Sequence, residues 1–136
     1  MNSGGQERQV RCLLVEDSGL ILQGLIDTLQ EMLPLTVIGS AADEAAACQW
    51  LDQHGQDLDL MVVDIFLQQG TGLGVLQHAN ELDLSCRKVV LTNYATREMR
   101  ARCSALKADQ VFDKSSELEE LVQYCADIAE RLSARQ

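Results

Sequence analysis

The sequence predicts an α/β fold, a parallel sheet with helices packed on both faces. Three observations predict it. Five short apolar runs, too short for helices and mostly rich in β-branched residues, alternate with five stretches whose apolar residues recur at helical spacing. The connections are short and carry no hairpin signals, so a meander of antiparallel strands is excluded. At 136 residues the chain is one domain, long enough to bury a proper core.

In chain order, Gln9 to Val15 is the first strand, and it ends in Glu16-Asp17. Ser18 or Asp17 can cap the next helix, about Gly19 to Leu33, whose Leu22, Leu25, Ile26, Leu29 and Leu33 fall on one face. Pro34, the only proline, stops it. Leu35 to Gly39 is the second strand. Asp43 opens a helix from Glu44 to about Gln53, with Ala46, Ala47, Trp50 and Leu51 toward the core and Gly55 at its end. Trp50 reads as a packing residue.

Leu60 to Val63 is an apolar run closed by Asp64, as expected of a strand buried on both faces. Its helix follows Gly72. Arg87 to Thr92 is the fourth strand and Thr96 to Leu106 a basic fourth helix. Asp109 to Lys114 is the fifth strand. Ser116-Glu117-Leu118-Glu119 has the form of a capping box. It opens a last helix with Leu118, Leu121, Val122, Cys125, Ile128, Ala129 and Leu132 on its apolar face. Residues 1–9 are polar and Gly-rich and are expected to form a frayed tail, leaving 10–136 as the domain.

Composition excludes several classes. No apolar run reaches the length of a membrane span, and the N-terminus has no signal-peptide core, so a cytoplasmic protein with no membrane partner is expected. Five cysteines, an odd number with no C-x-x-C pair, read as reduced thiols, most of them filling the core. A net charge of −10 argues against nucleic acid as a partner. The charge is uneven. No Lys or Arg occurs from Cys12 to Cys86, and then six of the eleven basic residues fall between Arg87 and Lys107. That run is either a solvated helix face or a patch for an acidic protein.

In a parallel sheet all strand C-termini share one edge, where α/β proteins place their chemistry. That edge would gather Glu16, Asp17, Asp64, Thr92 and Lys114. Clustered carboxylates repel one another unless a cation is present, and hard oxygen donors without His or thiol select Mg²⁺, with Mn²⁺ as an alternative ion. Lys114 offers a point charge for a phosphate and Thr92 a hydroxyl for a phosphoryl oxygen. The set suits Asp64 as a carboxylate nucleophile that accepts a phosphoryl group. Taken alone, Asp64 could equally cap a loop.

The acidic pair Glu16-Asp17, Asp64 eight residues before Gly72, Thr92 and Lys114 together resemble the response-regulator receiver domain of two-component signalling, over about Gln9 to Leu132. The resemblance implies a flavodoxin-like (βα)₅ sheet in the order 2-1-3-4-5, an order borrowed from such folds. It implies a histidine kinase or phosphotransfer protein as phosphoryl donor to Asp64. Glu16, Asp17, Asp64 and the backbone carbonyl of Phe66 would hold the metal, and Thr92 and Lys114 would contact the phosphoryl group. Thr92 would then move, and the surface of the fourth helix, fifth strand and fifth helix would change its affinity for an output protein that the sequence does not identify. Arg97, Arg100, Val111 and Phe112 are candidates for that surface. Phe66, Asn93 and Tyr94 flank the site; Phe66 and Tyr94 would shield the phosphoryl group from water. The protein would catalyse only its own phosphorylation and dephosphorylation, as a monomer or weak dimer.

Four positions depart from the family pattern. Gln68 and Ser115 stand where prolines are usual, the latter removing the reason for a cis peptide. Val111 stands where a switching aromatic is common, with Phe112 facing the other way on the strand. Asn93 replaces a small residue and can narrow access to Asp64. Competing readings are a degenerate receiver that binds partners without phosphate, a Mg²⁺-dependent phosphohydrolase, and a nucleotide-binding module. The phosphohydrolase lacks a general acid, since Phe66 occupies the position of its second Asp. The nucleotide module lacks the third glycine of its motif.

Overall fold

The structure, a computed structural model, describes residues 8–134. Most of the expected 1–9 tail lies outside the described residues. The elements run β1 (Val10–Val15), α1 (Gly19–Met32), β2 (Leu35–Ala41), α2 (Glu44–His54), β3 (Leu60–Val63), α3 (Gly72–Glu81), β4 (Arg87–Thr92), α4 (Arg97–Ala105), β5 (Gln110–Asp113) and α5 (Leu118–Ala134). All strand pairs are parallel, in the order β2-β1-β3-β4-β5. The chain therefore reverses its winding direction between β1 and β3, which leaves a crevice beyond the ends of those strands.

The period-two alternation of each strand divides the core into two layers. Val10, Cys12, Leu14, Leu60, Val62, Val89, Leu91 and Phe112 face α1 and α5. Leu13, Val15, Met61, Val63 and Val90 face the other layer, against Ala47 and Leu51 of α2, Val75, Leu76 and Ala79 of α3 and Cys103 of α4. β3 is buried on both faces along its whole length. β2 is two residues longer than expected. Its register with β1 steps from Cys12–Val37 to Leu13–Gly39, which leaves Ile38 as an extra residue on the edge strand.

Helix ends follow their capping residues. The Ser18, Asp43, Thr71 and Thr96 side chains accept the N–H groups of Ile21, Ala46, Gly74 and Met99, each satisfying a donor that the first turn leaves unpaired. Leu33 is extended, as a residue before proline tends to be, so α1 ends at Met32. Gly55 does end α2, but in right-handed conformation, leading into a 3₁₀ turn over Gly55–Asp57. A Cβ there would lie 2.8 Å from the Leu84 side chain, so close packing accounts for that glycine.

Three expectations are corrected. The capping box does not form: the turn before α5 is built by Asp113, whose carboxylate accepts the Ser115 N–H and hydroxyl, and by Glu117, whose carboxylate accepts the Asp113 N–H. Leu118, at the first turn of α5, is exposed, as is Ala46 on α2. Trp50 is only partly buried, but it packs across Gly39, where a Cβ would come within 2.4 Å of its indole. All five cysteines are free. Burial pushes the Cys125 thiol up to about 12 and raises the other four; Cys12, Cys86, Cys103 and Cys125 are buried and act as apolar fillers, while Cys48 is only partly buried.

Candidate functional site

β1 and β3 end side by side, with Val15 opposite Val63, and this register delivers Glu16 and Asp64 to one place. The Asp64 N–H donates to the Val15 carbonyl, which extends the pairing one residue past β3. β5 ends beside β4, and the Lys114 N–H donates to the Thr92 carbonyl. The strand ends thus carry the carboxylates, the hydroxyl and the ammonium to one sheet edge.

Lys114 joins them. Its Nζ donates to Glu16 Oε1 at 2.5 Å and to Asp64 Oδ2 at 2.8 Å. All three side chains are largely removed from water, at 12%, 3% and 10% exposure for Lys114, Glu16 and Asp64. Burial opposes the charge on Lys114, but its bonds to Asp64 and Glu16 and their negative charge outweigh it, so the ammonium is held above its ordinary range. The other carboxylate oxygens are also used. Glu16 Oε2 accepts the Ser18 N–H at 3.1 Å, and Asp64 Oδ1 accepts the Phe66 N–H at 3.2 Å.

These groups line a cleft of about 200 Å³, with Asp17, Ser18, Ile21, Phe66, Asn93 and Tyr94 around them. Phe66 and Tyr94 are about half exposed and meet edge to face, with centroids 4.8 Å apart. Thr92 is fully buried and does not line the cleft; its hydroxyl accepts the Tyr94 N–H at 3.3 Å. The remaining expected positions lie elsewhere. Arg97 is exposed at the start of α4, and Val111 packs on the α2–α3–α4 layer. Phe112 is buried on the α1–α5 layer beside Tyr124, which removes it from any output surface.

One residue that sequence reasoning passed over, Glu44, and one expected at the output surface, Arg100, shape this end of the sheet. Glu44, in the first turn of α2, accepts the Thr71 N–H at 2.8 Å and donates its own N–H to the Gln69 carbonyl. It fastens the loop that follows Asp64, where Gln68 replaces the usual proline. Gly70, at φ +76°, and Gly74 leave the space that the Glu44 side chain fills. Arg100 of α4 donates to the Ala95 and Val111 carbonyls and pairs with Glu117. Neither pairing has a local signal, since the partners stand 27 and 17 residues apart.

The fold and this edge define a class, and the sequence match agrees with it. The family described as the response regulator receiver domain matches residues 12–126, and the chain belongs to it. Solved structures share the fold. The receiver domain of the putative response regulator NarL from Mycobacterium tuberculosis is 22% identical, with a TM-score of 0.80 over 90% of this chain and 98% of that one. A LuxR-family DNA-binding response regulator from Staphylococcus aureus is 16% identical, with a TM-score of 0.79 over 88% and 98%. A CheX–CheY–BeF₃–Mg²⁺ complex from Borrelia burgdorferi is 19% identical, with a TM-score of 0.75 over 86% and 90%. No curated protein matches the chain.

Receiver domains generally bind Mg²⁺. The donors here suit it in kind, since Glu16, Asp17, Asp64 and Phe66 line one cleft and the carboxylates are hard oxygen ligands. As the side chains stand, no three acidic, His or Cys groups among the described residues are close enough together to hold an ion. The Lys114 ammonium takes the place between Glu16 and Asp64. Among the described residues no helix is long and apolar enough to cross a membrane.

Proposed function

We propose that the chain is a phosphorylation-activated switch whose phosphoacceptor is Asp64. The observation that carries this reading is the Lys114 ammonium held between Glu16 and Asp64 at the C-terminal edge of a receiver sheet. Its donor is a histidine kinase or a phosphotransfer protein. A carboxylate oxygen of Asp64 attacks the phosphorus of a phosphohistidine; the new O–P bond forms as the N–P bond breaks, and the imidazole leaves.

Glu16, Asp17, Asp64 and the Phe66 carbonyl would hold Mg²⁺, which when bound supplies positive charge to the transferring phosphoryl oxygens. Lys114 supplies a second cation at the same place, already pointed at Asp64. Thr92 is buried and accepts the Tyr94 N–H, so its own hydroxyl proton is left to donate to a phosphoryl oxygen once the side chain shifts toward the cleft. Through the Tyr94 contact that shift links chemistry at Asp64 to the loop entering α4, and from there to protein binding. The chain needs no further activity than its own phosphorylation and dephosphorylation. The reading keeps a protein as output partner, a cytoplasmic setting and no nucleic-acid contact by this domain.

The test is incubation with Mg²⁺ and phosphoramidate or acetyl phosphate, followed by intact mass. One added phosphoryl group that Asp64→Ala abolishes is expected. A folded protein that takes no phosphate from any donor would instead be a phosphate-independent interaction module. A rise in melting temperature on adding millimolar Mg²⁺ is expected, and its absence would remove the metal from the scheme.

A further inference from the structure

A second cavity, of about 610 Å³, opens at the N-terminal edge of the sheet, at the other end of the strands from Asp64. Its floor is Leu58 and Asp59 before β3 and Ser85 to Lys88 entering β4. Its walls are Lys107 and Asp109 of the α4–β5 loop and Ile128, Arg131 and Leu132 of α5, with Arg8 at the rim. Five cations therefore surround it, in a chain whose net charge is −10.

The two carboxylates in the cavity are already engaged. Asp59 pairs with Arg8 at 3.1 Å and with Arg11 at 3.4 Å. Asp109 accepts the Lys88 backbone N–H at 2.7 Å and stands 3.8 Å from Arg87. Among the described residues Lys88, Lys107 and Arg131 have no carboxylate partner. Lys88 is the most telling of the three. Its side chain is buried, and its ammonium donates to the Leu84 and Cys86 carbonyls at 3.0 and 3.3 Å. Two N–H bonds to neutral acceptors satisfy two of its three protons, and no carboxylate among the described residues stands within ion-pair distance of it.

The negative end of the α5 dipole accounts for one cation near its last turn, Arg131. Lys107, just past the end of α4, is favoured in the same way by the negative end of that helix, which leaves Lys88 as the cation that no helix end explains. Like charges gathered around a concave site raise the local potential and concentrate anions there. We propose that this cavity binds a small phosphate-bearing anion, with Lys88, Lys107 and Arg131 as its charge partners. The volume falls in the range of small-molecule sites, roughly 300–1,000 Å³. Ile128, Leu132 and Leu58 give it an apolar side on which the organic body of a ligand can rest.

Free inorganic phosphates and organic phosphates share this chemistry, and calorimetry separates them. The full chain is titrated in EDTA, so that no metal recruits phosphate to Asp64, with pyrophosphate in one arm and ADP in the other. Binding is expected, with amide shift changes at Arg87, Lys88 and Lys107. The double variant Lys107→Glu/Arg131→Glu, both exposed positions away from the acceptor cleft, is expected to weaken it roughly tenfold or more. Tighter binding of ADP assigns an organic phosphate, and equal or tighter binding of pyrophosphate an inorganic one. No binding in either arm, binding that the double variant leaves unchanged, or shifts confined to the Asp64 edge would overturn the proposal. None of these outcomes bears on phosphorylation of Asp64.

Discussion

Arg100 Nη2 stands 2.9 Å from Glu117 Oε1, and the same oxygen accepts the Asp113 N–H at 2.8 Å. With its bonds to the Ala95 and Val111 carbonyls, the Arg100 guanidinium ties together the loop after β4, the strand β5 and the turn before α5. The Asp113 N–H, and then Arg100, hold the Glu117 carboxyl below its ordinary range. A carboxyl depressed in the folded state contributes stability above its unfolded pKa and loses it as pH falls through the folded one. Glu117→Gln is therefore expected to melt below the native protein at neutral pH and to converge with it in acid. A difference in melting temperature that stays constant with pH would show that the charge contributes nothing.

Lys114 is expected to be the costliest of the site residues to remove. Lys114→Met leaves Glu16 and Asp64 buried without a counter-charge, which costs about 3–5 kcal/mol for a buried pair broken on one side. Urea denaturation in metal-free buffer at neutral pH measures it. The deficit should shrink when Mg²⁺ is added at neutral pH and restores a cation beside the two carboxylates. A loss under about 1 kcal/mol would mean that water reaches this edge freely.

Phe66 and Tyr94 sit over the cleft in edge-to-face contact. If they exclude water from a phosphorylated Asp64, then Phe66→Asn combined with Tyr94→Glu shortens the lifetime of the acyl phosphate. The half-life of the phosphorylated species by intact mass gives the answer. An unchanged half-life would reduce the pair to loop packing.

Gly39 and Trp50 provide a test of the edge layer. A Cβ at Gly39 would lie 2.4 Å from the indole, so Gly39→Ala must displace the ring. A loss of roughly 1–3 kcal/mol is expected, the usual cost of an overpacked contact. Trp50 is the only tryptophan, so its fluorescence should report the displacement directly. An unshifted emission maximum with full stability would show that the ring moves at no cost.

Local chemistry determined much of this protein without help from the fold. The β-branched runs ending in Glu16-Asp17, Asp64, Thr92 and Lys114, the cap residues Ser18 and Asp43, and Pro34 after α1 act over a few residues, and each lies where its type predicts. Alternation along β5 also separates Val111 from Phe112, which the structure places in opposite layers. What the tertiary structure decided are contacts between residues far apart in the chain. Lys114 meets Glu16 across 98 residues, Glu44 meets Thr71 across 27, and Arg100 meets Glu117 across 17. The buried place of Phe112, the turn that replaces the capping box and the cations around Lys88 belong to the same group. The physical reason is that a side chain's type fixes which bonds it can make, while its partner is fixed by the sheet register and helix packing that bring two distant backbones within reach.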